Sequence, residues 1–328
     1  MRPGLPAALA LAALGLLARG TPARMAAAVP AAATTAAATS AAAKSAATSP
    51  PAVPKASPTA IAATPVASVN AASKLTAYFA RPAARQFYLP KGLSEVSGLA
   101  VASANSVFAH DDNYGIVYEV DLGSGKMLRA FALGSPTIKE DFEDIAIRAG
   151  FVYLLTSDGR LFEAPIGGHR KRVRYNVYDT GVGPHCETEG LVDGPKDGDF
   201  LILCKKPHQN KFKDRLVIFL WSLGDRAPVS SPWLNVPLDG LVDPLEQANF
   251  HPSAFYWRRD VGRFLIVSAK GHSAIEIDEQ GKLVDRVKLD KAEHPQPEGL
   301  TLMPDGRLVI SDEGARGYGK IEIYDPPR

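Results

Sequence analysis

The chain has 328 residues, with 37 basic side chains (Lys+Arg) against 35 acidic ones (Asp+Glu) and two cysteines, too few cysteines for a disulfide scaffold or a multi-cysteine zinc site. Five of the basic residues (Arg2, Arg19, Arg24, Lys44 and Lys55) and none of the acids fall within residues 1–72, so the remaining 256 residues carry 32 basic against 35 acidic side chains, a formal −3. A mildly acidic domain without a Lys/Arg run interleaved with aromatics argues against a nucleic-acid binder, and its length suffices for one all-β or α/β domain with a sizeable core.

Residues 1–25 place Arg2 ahead of an apolar stretch, Leu5 to Ala18, that Arg19 interrupts. At about 14 residues the stretch is too short for an unaided membrane span and suits a secretory signal. Small residues offer cleavage points near Ala18–Gly20 and Ala26–Ala28. The expectation is a periplasmic or secreted protein; the alternative is an uncleaved signal-anchor, in which residues 5–18 hold the domain at the inner membrane. Residues 26–74 are an Ala/Thr/Ser/Pro-rich run in which Pro30, Pro50, Pro51, Pro54, Pro58 and Pro65 interrupt any long helix. Such a segment buries too little surface to offset its ordering entropy and reads as a disordered linker. Residues 75–328 are left as the folded domain.

Within that domain five segments can be laid over one another: SEVSGLAV from Ser94, DFEDIAIR from Asp141, ETEGLVDG from Glu187, HPSAFYWR from His251 and QPEGLTLM from Gln296. Their matched residues are Ser97, Glu143, Glu189, Ser253 and Glu298, spaced by 46, 46, 64 and 45 positions. Each segment is followed by a turn and a second apolar run: SVFAHDD, VYLLTSD, FLILCKK, FLIVSAK and LVISDE. Third strands are predicted at Gly115–Val120, Arg160–Ala164, Arg215–Trp221, Ala274–Asp278 and Lys320–Tyr324, and fourth strands at Leu128–Leu133, Arg172–Tyr178, Trp233–Leu238 and Leu283–Leu289. Four strands at such a period make one propeller blade.

The last unit lacks a fourth strand, and the otherwise unassigned Arg85–Leu89 is expected to supply it, closing the ring and removing an open sheet edge. The 64-residue interval is too short for two blades, so the fold class is all-β, a five-bladed β-propeller with loop insertions near Pro207–Asp214 and Gly240–Asn249. A six-bladed ring with one degenerate blade is the alternative; a β-sandwich would not explain the repeat.

The segments LSEVSGLA, HDDNYGIVYEVDL, DFEDIAI, CETEGLV, HPSAFYW and QPEGLTLMPDGRLVISDE resemble the SdiA-regulated (YjiK-like) family of bacterial envelope proteins over about residues 86–325. The resemblance implies a five-bladed propeller with a bound calcium ion and distant kinship to metal-dependent six-bladed propellers. It implies no established biochemical activity.

In a propeller, the starts of the first strands and the ends of the second strands share one mouth of the channel. That mouth should collect Glu95/Ser97, Asp141/Glu143, Glu187/Glu189, His251/Ser253 and Gln296/Glu298, with Asp111/Asp112, Ser157/Asp158, Lys205/Lys206, Ala269/Lys270 and Asp312/Glu313. Carboxylates about 6 Å apart repel by roughly 3 kcal/mol even at an effective dielectric near 20. A hard divalent cation with oxygen ligands would relieve this, and Ca2+ tolerates the irregular geometry better than magnesium. Glu143, Glu189 and Glu298 are the first candidate ligands, Glu95 and Asp312 the second. Lys205, Lys206 and Lys270 could instead neutralise the acids as ordinary ion pairs.

The alignment also puts His110, His185, His251, His272 and His294 on the mouth face, with His251 in the channel-facing register. Two functional classes follow. One is a non-catalytic binding or calcium-responsive module, whose open face recruits a protein or a small anionic or ester ligand. The other is a calcium-dependent hydrolase of an ester, lactone or phosphoester with His251 as base. No serine-hydrolase elbow, zincin motif or P-loop occurs. Asp193–Asp199 (DGPKDGD) reads as a hairpin turn rather than a calcium loop. Cys186 and Cys204 fall near one another on adjacent strands, and a one-residue register difference decides whether they can pair in an oxidising compartment.

Overall fold

The computed structural model describes residues 75–314 and 317–327, and the signal and linker readings of residues 1–74 lie outside the described residues. After a 3-10 turn at Leu75–Ala77 comes β1 (Arg85–Tyr88). The first blade is β2 (Val96–Ser103), β3 (Ser106–Asp111), β4 (Tyr114–Asp121) and β5 (Met127–Leu133). The second holds β6 (Phe142–Arg148), β7 (Phe151–Thr156) and β8 (Arg160–Pro165); then come the short β9 (Arg172–Val173) and β10 (Asn176–Asp179), and only β10 completes this sheet. The third is β11 (Cys186–Asp193), β12 (Asp199–Pro207), β13 (Arg215–Ser222) and β14 (Leu234–Pro237), and the fourth β15 (Ala254–Arg258), β16 (Arg263–Ser268), β17 (Ser273–Asp278) and β18 (Leu283–Lys288). The fifth is β19 (Pro297–Leu302), β20 (Leu308–Asp312) and β21 (Lys320–Tyr324), completed by β1, which pairs antiparallel with β21.

The protein is therefore a five-bladed propeller closed by its own first strand, as the sequence predicts. Its long interval contains one blade and two irregular excursions, which carry 3-10 turns at Asn210–Phe212 and Gln247–Asn249. DGPKDGD turns between β11 and β12, with Gly194 N donating to Asp199 O at 2.7 Å.

Second strands read as continuous apolar runs because both faces of each blade are covered. Phe200, Ile202 and Cys204 pack toward the second blade with Tyr153 and Leu155, whereas Leu201 and Leu203 pack toward the fourth with Phe264 and Ile266. Val107 and Ala109 likewise face Val309 and Ile321 of the fifth blade, and Phe108 faces Leu154 of the second. A fifth core joins Leu265 and Val267 to Leu308 and Ile310. Five interfaces for five blades leave no gap for a sixth.

One fourth strand departs from the expectation. Arg172–Tyr178 is not a single strand: β9 pairs parallel with β5 of the first blade, and only β10 joins β8. The loop before β9 binds the same edge, through Arg170 N to Ala130 O at 2.7 Å and Ala132 N to Lys171 O at 3.0 Å. A segment that leaves its own blade to cover a neighbour's exposed edge satisfies amide and carbonyl groups that would otherwise stay open. Cys186 and Cys204 are buried free thiols in one core.

The chain enters the ring through a strap. Leu75 N donates to Glu276 Oε2 at 3.0 Å, and Thr76 bonds Asp285 through its amide and hydroxyl at 2.8 and 2.7 Å. Glu276 is wholly buried and pairs with the buried Arg258 at 3.2 Å and with the partly exposed Arg263 at 3.3 Å. Tyr78 then donates to Gly306 O at 2.9 Å in the fifth blade. Leu75, Tyr78 and Leu89 are each 3% exposed or less, and buried side chains of this size contribute roughly 1.5–3 kcal/mol apiece. Internal deletion of residues 75–89 is expected to lower the melting temperature by more than 10 °C and to expose the β21 edge to self-association. Circular dichroism and light scattering would check both.

Candidate functional site

The first strands open irregularly, and the irregularities decide where the acids point. In β6 the register steps from Phe142 opposite Thr156 to Asp144 opposite Leu155, leaving Glu143 as the extra residue. Glu189 is extra between Thr188 and Gly190, and Glu298 between Pro297 and Gly299. Such bulges re-aim a side chain, and here they bring three glutamates from three blades together. Glu189 is 2% exposed and lies within proton-sharing reach of both Glu143 and Glu298.

A cation from the chain itself stands among them. Lys205 is the extra residue of a further register shift in the β11–β12 pair, and its Nζ lies 2.9 Å from Glu189 Oε2 and 4.0 Å from Glu187 Oε1. Burial opposes its charge, but Glu189, Glu143 and Glu298 outweigh burial and hold the ammonium above its ordinary pKa. One ammonium does not balance three carboxylates. Burial, opposed by Lys205, pushes Glu298 up to about 7. Burial and the Glu143 charge push Glu189 well above the usual carboxylate range.

A second group of acids occupies another part of the mouth. Carboxylate oxygens of Glu95, Asp111 and Asp112 all lie within 4.8 Å of one another. Asn113 organises them: its Nδ2 donates to Glu95 Oε2 at 2.6 Å and to Asp112, and its backbone N to Asp111 Oδ1 at 3.2 Å. Burial first, then Glu95, Asp111, Glu313 and Asp141, push Asp112 up to about 7. Gln296 links the two groups by donating from Nε2 to Glu298 Oε1 at 3.3 Å and to Glu313. Among the described residues, no Lys, Arg or His forms an ion pair with Glu95, Asp111, Asp112 or Glu313.

At the position after each matched residue, Gly98, Gly190, Ala254 and Gly299 are small, but the second blade has Asp144. Its buried carboxylate accepts from Ile145 N at 2.7 Å and from Leu191 N of the next blade at 2.6 Å. Gly98 must lack a side chain, since a Cβ there would meet Asp144 Oδ1 at 2.3 Å.

The candidate ligands therefore separate. Glu143, Glu189 and Glu298 converge around Lys205, and Glu95 joins Asp111 and Asp112. Asp312 belongs to neither group. It sits opposite Pro297 and Lys320 and turns into the fifth blade, leaving its neighbour Glu313 beside Glu95. Asp112 and Glu313 had a readable signal as strand-end acids, but which member of each pair faces the mouth depends on register.

The histidines also divide. His110 is fully buried, and desolvation lowers its pKa to about 4. His185 stacks on Phe219 with centroids 5.6 Å apart. His251 and His272 line a cleft at the mouth. His294 is buried inside the fifth blade, its Nδ1 2.9 Å from both Asp312 Oδ2 and Glu322 Oε2 and its Nε2 2.7 Å from the Tyr324 hydroxyl.

Burial opposes the charge on His294, but Asp312 and Glu322 outweigh burial and raise its pKa to about 9. A folded-state pKa above the unfolded value near 6.5 gives stability that is complete below pH 6.5 and lost as pH rises through 9. The wild-type melting temperature is expected to fall across that window, by at most roughly 3 kcal/mol in stability. His294→Gln should flatten the profile, which differential scanning calorimetry at several pH values would read.

No curated protein matches the chain. Among solved structures, it is similar to a luciferin-regenerating enzyme at 11% identity, covering 71% of this chain and 91% of that one with a TM-score of 0.45. It is similar to the PQQ-bound aldose sugar dehydrogenase of Streptomyces coelicolor at 12% identity, with 74% and 99% coverage and a TM-score of 0.46. For a streptogramin B lyase the values are 15%, 74% and 86%, and 0.42. Residues 237–325 match the family model described as SdiA-regulated, the family that the sequence motifs resemble.

Proposed function

We propose that this chain is an exported calcium-binding propeller that acts as a binding module at the cell envelope. The observation that carries the reading is the group formed by Glu95, Asp111 and Asp112, whose oxygens lie within 4.8 Å of one another and whose repulsion no side-chain cation offsets among the described residues. Its donor set is all oxygen and carries several negative charges, which suits a hard divalent ion of relaxed geometry. Glu95, Asp111 and Asp112 would hold the ion, with Glu313 adjacent. The ion would neutralise the acids and brace the first blade's entry against the fifth. Glu143, Glu189 and Glu298 are the less favourable set, because Lys205 already supplies a cation 2.9 Å from Glu189. Export rests on the Arg2-led apolar stretch from Leu5 to Ala18.

A hydrolase has less support. Desolvation, followed by the charge of Lys270, lowers the His251 pKa, which favours the neutral form that a base requires. The nearby hydroxyl is committed elsewhere: Ser253 Oγ donates to Pro297 O at 2.7 Å and is 3% exposed with its residue. A binding role needs no nucleophile there.

Calorimetric titration of calcium into metal-free protein is expected to release or absorb heat and to raise the melting temperature. Asp112→Asn should weaken binding at least tenfold, while Glu189→Gln should change it less than threefold. Because burial and the neighbouring acids push the Asp112 pKa up to about 7, protons should compete below that value and calcium affinity should rise between pH 6 and 8. An absent heat and an unchanged melting temperature would remove the calcium reading. Loss of binding in Glu189→Gln alone would move the ion to the three converging glutamates. A panel of ester, lactone and phosphoester substrates should show no chelator-sensitive turnover.

A further inference from the structure

The acid group occupies only one side of the mouth. On the other, a cleft of about 380 Å³ is lined by Lys205, Lys270, Lys291, His251, His272 and Glu298, among others. Three lysines reach it from separate places in the chain: the end of β12, the β16–β17 turn and the loop after β18. Lys205 is committed to Glu189 at 2.9 Å. Lys270 and Lys291 have no carboxylate partner within 4 Å among the described residues. The one acid lining it among the described residues, Glu298, is hydrogen-bonded by Gln296 at 3.3 Å. The cleft thus holds two uncompensated ammonium groups and two imidazoles, the inverse of the acid group across the mouth.

We propose that this cleft is a binding site for a phosphate group, either as the free ion or at the end of a phosphomonoester. Lysine ammonium groups are compact point charges that can approach a tetrahedral oxyanion from several directions, whereas planar two-oxygen recognition of a carboxylate favours the arginine fork. Among the described residues, no arginine lines the cleft. Its volume exceeds that of a phosphate ion, leaving room for a small organic substituent. Desolvation and the charges of Lys270, Lys205 and Lys206 lower the His251 pKa; a bound dianion opposes that field and favours the ring as a charged donor. This deepens the reading of the mouth as a binding face and rests on it, but through residues other than those assigned to calcium.

The test uses the full chain, stripped of metal and dialysed, at constant ionic strength. Calorimetry with inorganic phosphate, glycerol 3-phosphate and acetate should show binding of at least one phosphate compound and at least tenfold weaker binding of acetate. Tighter binding of glycerol 3-phosphate than of phosphate identifies the monoester as the preferred form; the reverse identifies the free ion. The double variant Lys270→Gln/Lys291→Gln should lose at least tenfold in phosphate affinity, about 1.4 kcal/mol, and keep the wild-type melting temperature and calcium heat. In proton-detected titration, phosphate should raise the His251 pKa in the wild type and leave it unmoved in the double variant. Absence of phosphate heat, equal affinity for acetate, or unchanged phosphate binding by the double variant would each overturn the proposal. Calcium is titrated separately, so the failure of either site is read independently of the other.

Discussion

The whole structure depends on a simple constraint: every blade is apolar on both faces, so no blade can exist without a neighbour on each side. Phe200 and Ile202 on one face of β12 and Leu201 and Leu203 on the other belong to different inter-blade cores. An open row of such sheets would end in two exposed apolar faces. Closing the row into a ring removes both, and the pairing of β1 with β21 provides the hydrogen-bonded seam. The chemistry at the mouth inherits its geometry from this closure, because only a ring directs strand starts from different blades toward one axis.

At that axis the fold concentrates charge that an ordinary surface would disperse. The chain handles the charge in two ways. Where Glu143, Glu189 and Glu298 meet, Lys205 is turned inward as an internal counter-ion. Where Glu95, Asp111 and Asp112 meet, the Asn113 amide and backbone N–H intervene and no cation of the described residues pairs with them. Across the mouth, Lys270 and Lys291 have no acidic partner among the described residues. The same rim therefore presents uncompensated charge of both signs within one opening, an arrangement that costs folding stability and on which the proposed binding role rests.

Most of the ring is legible in the sequence because its signals are local. Apolar runs such as FLILC and FLIVS, turn residues such as Pro304-Asp305-Gly306, and the recurrence of Glu143, Glu189 and Glu298 mark blades without knowledge of their contacts. Even the closing strand can be inferred, since a last blade with three strands needs a fourth. What escapes are features that depend on single-residue shifts of register. A bulge places Lys205 among the glutamates and leaves Lys206 exposed. The orientation of β20 turns Asp312 into the blade toward His294 and sends Glu313 to the mouth. Arg172–Tyr178 has the composition of one strand, and the need of the first blade's edge for hydrogen-bond partners divides it in two.

The strap formed by residues 75–84 has a mechanical consequence. A pull exerted through the chain ahead of Leu75 is resisted first by Glu276 and Asp285 of the fourth blade, then by the Tyr78 hydroxyl on Gly306, before any load reaches β1. Strain arriving from that end is thus dissipated on a buried ion-paired anchor upstream of the seam. The ring can be tugged from that end without being unzipped at the joint that holds it shut.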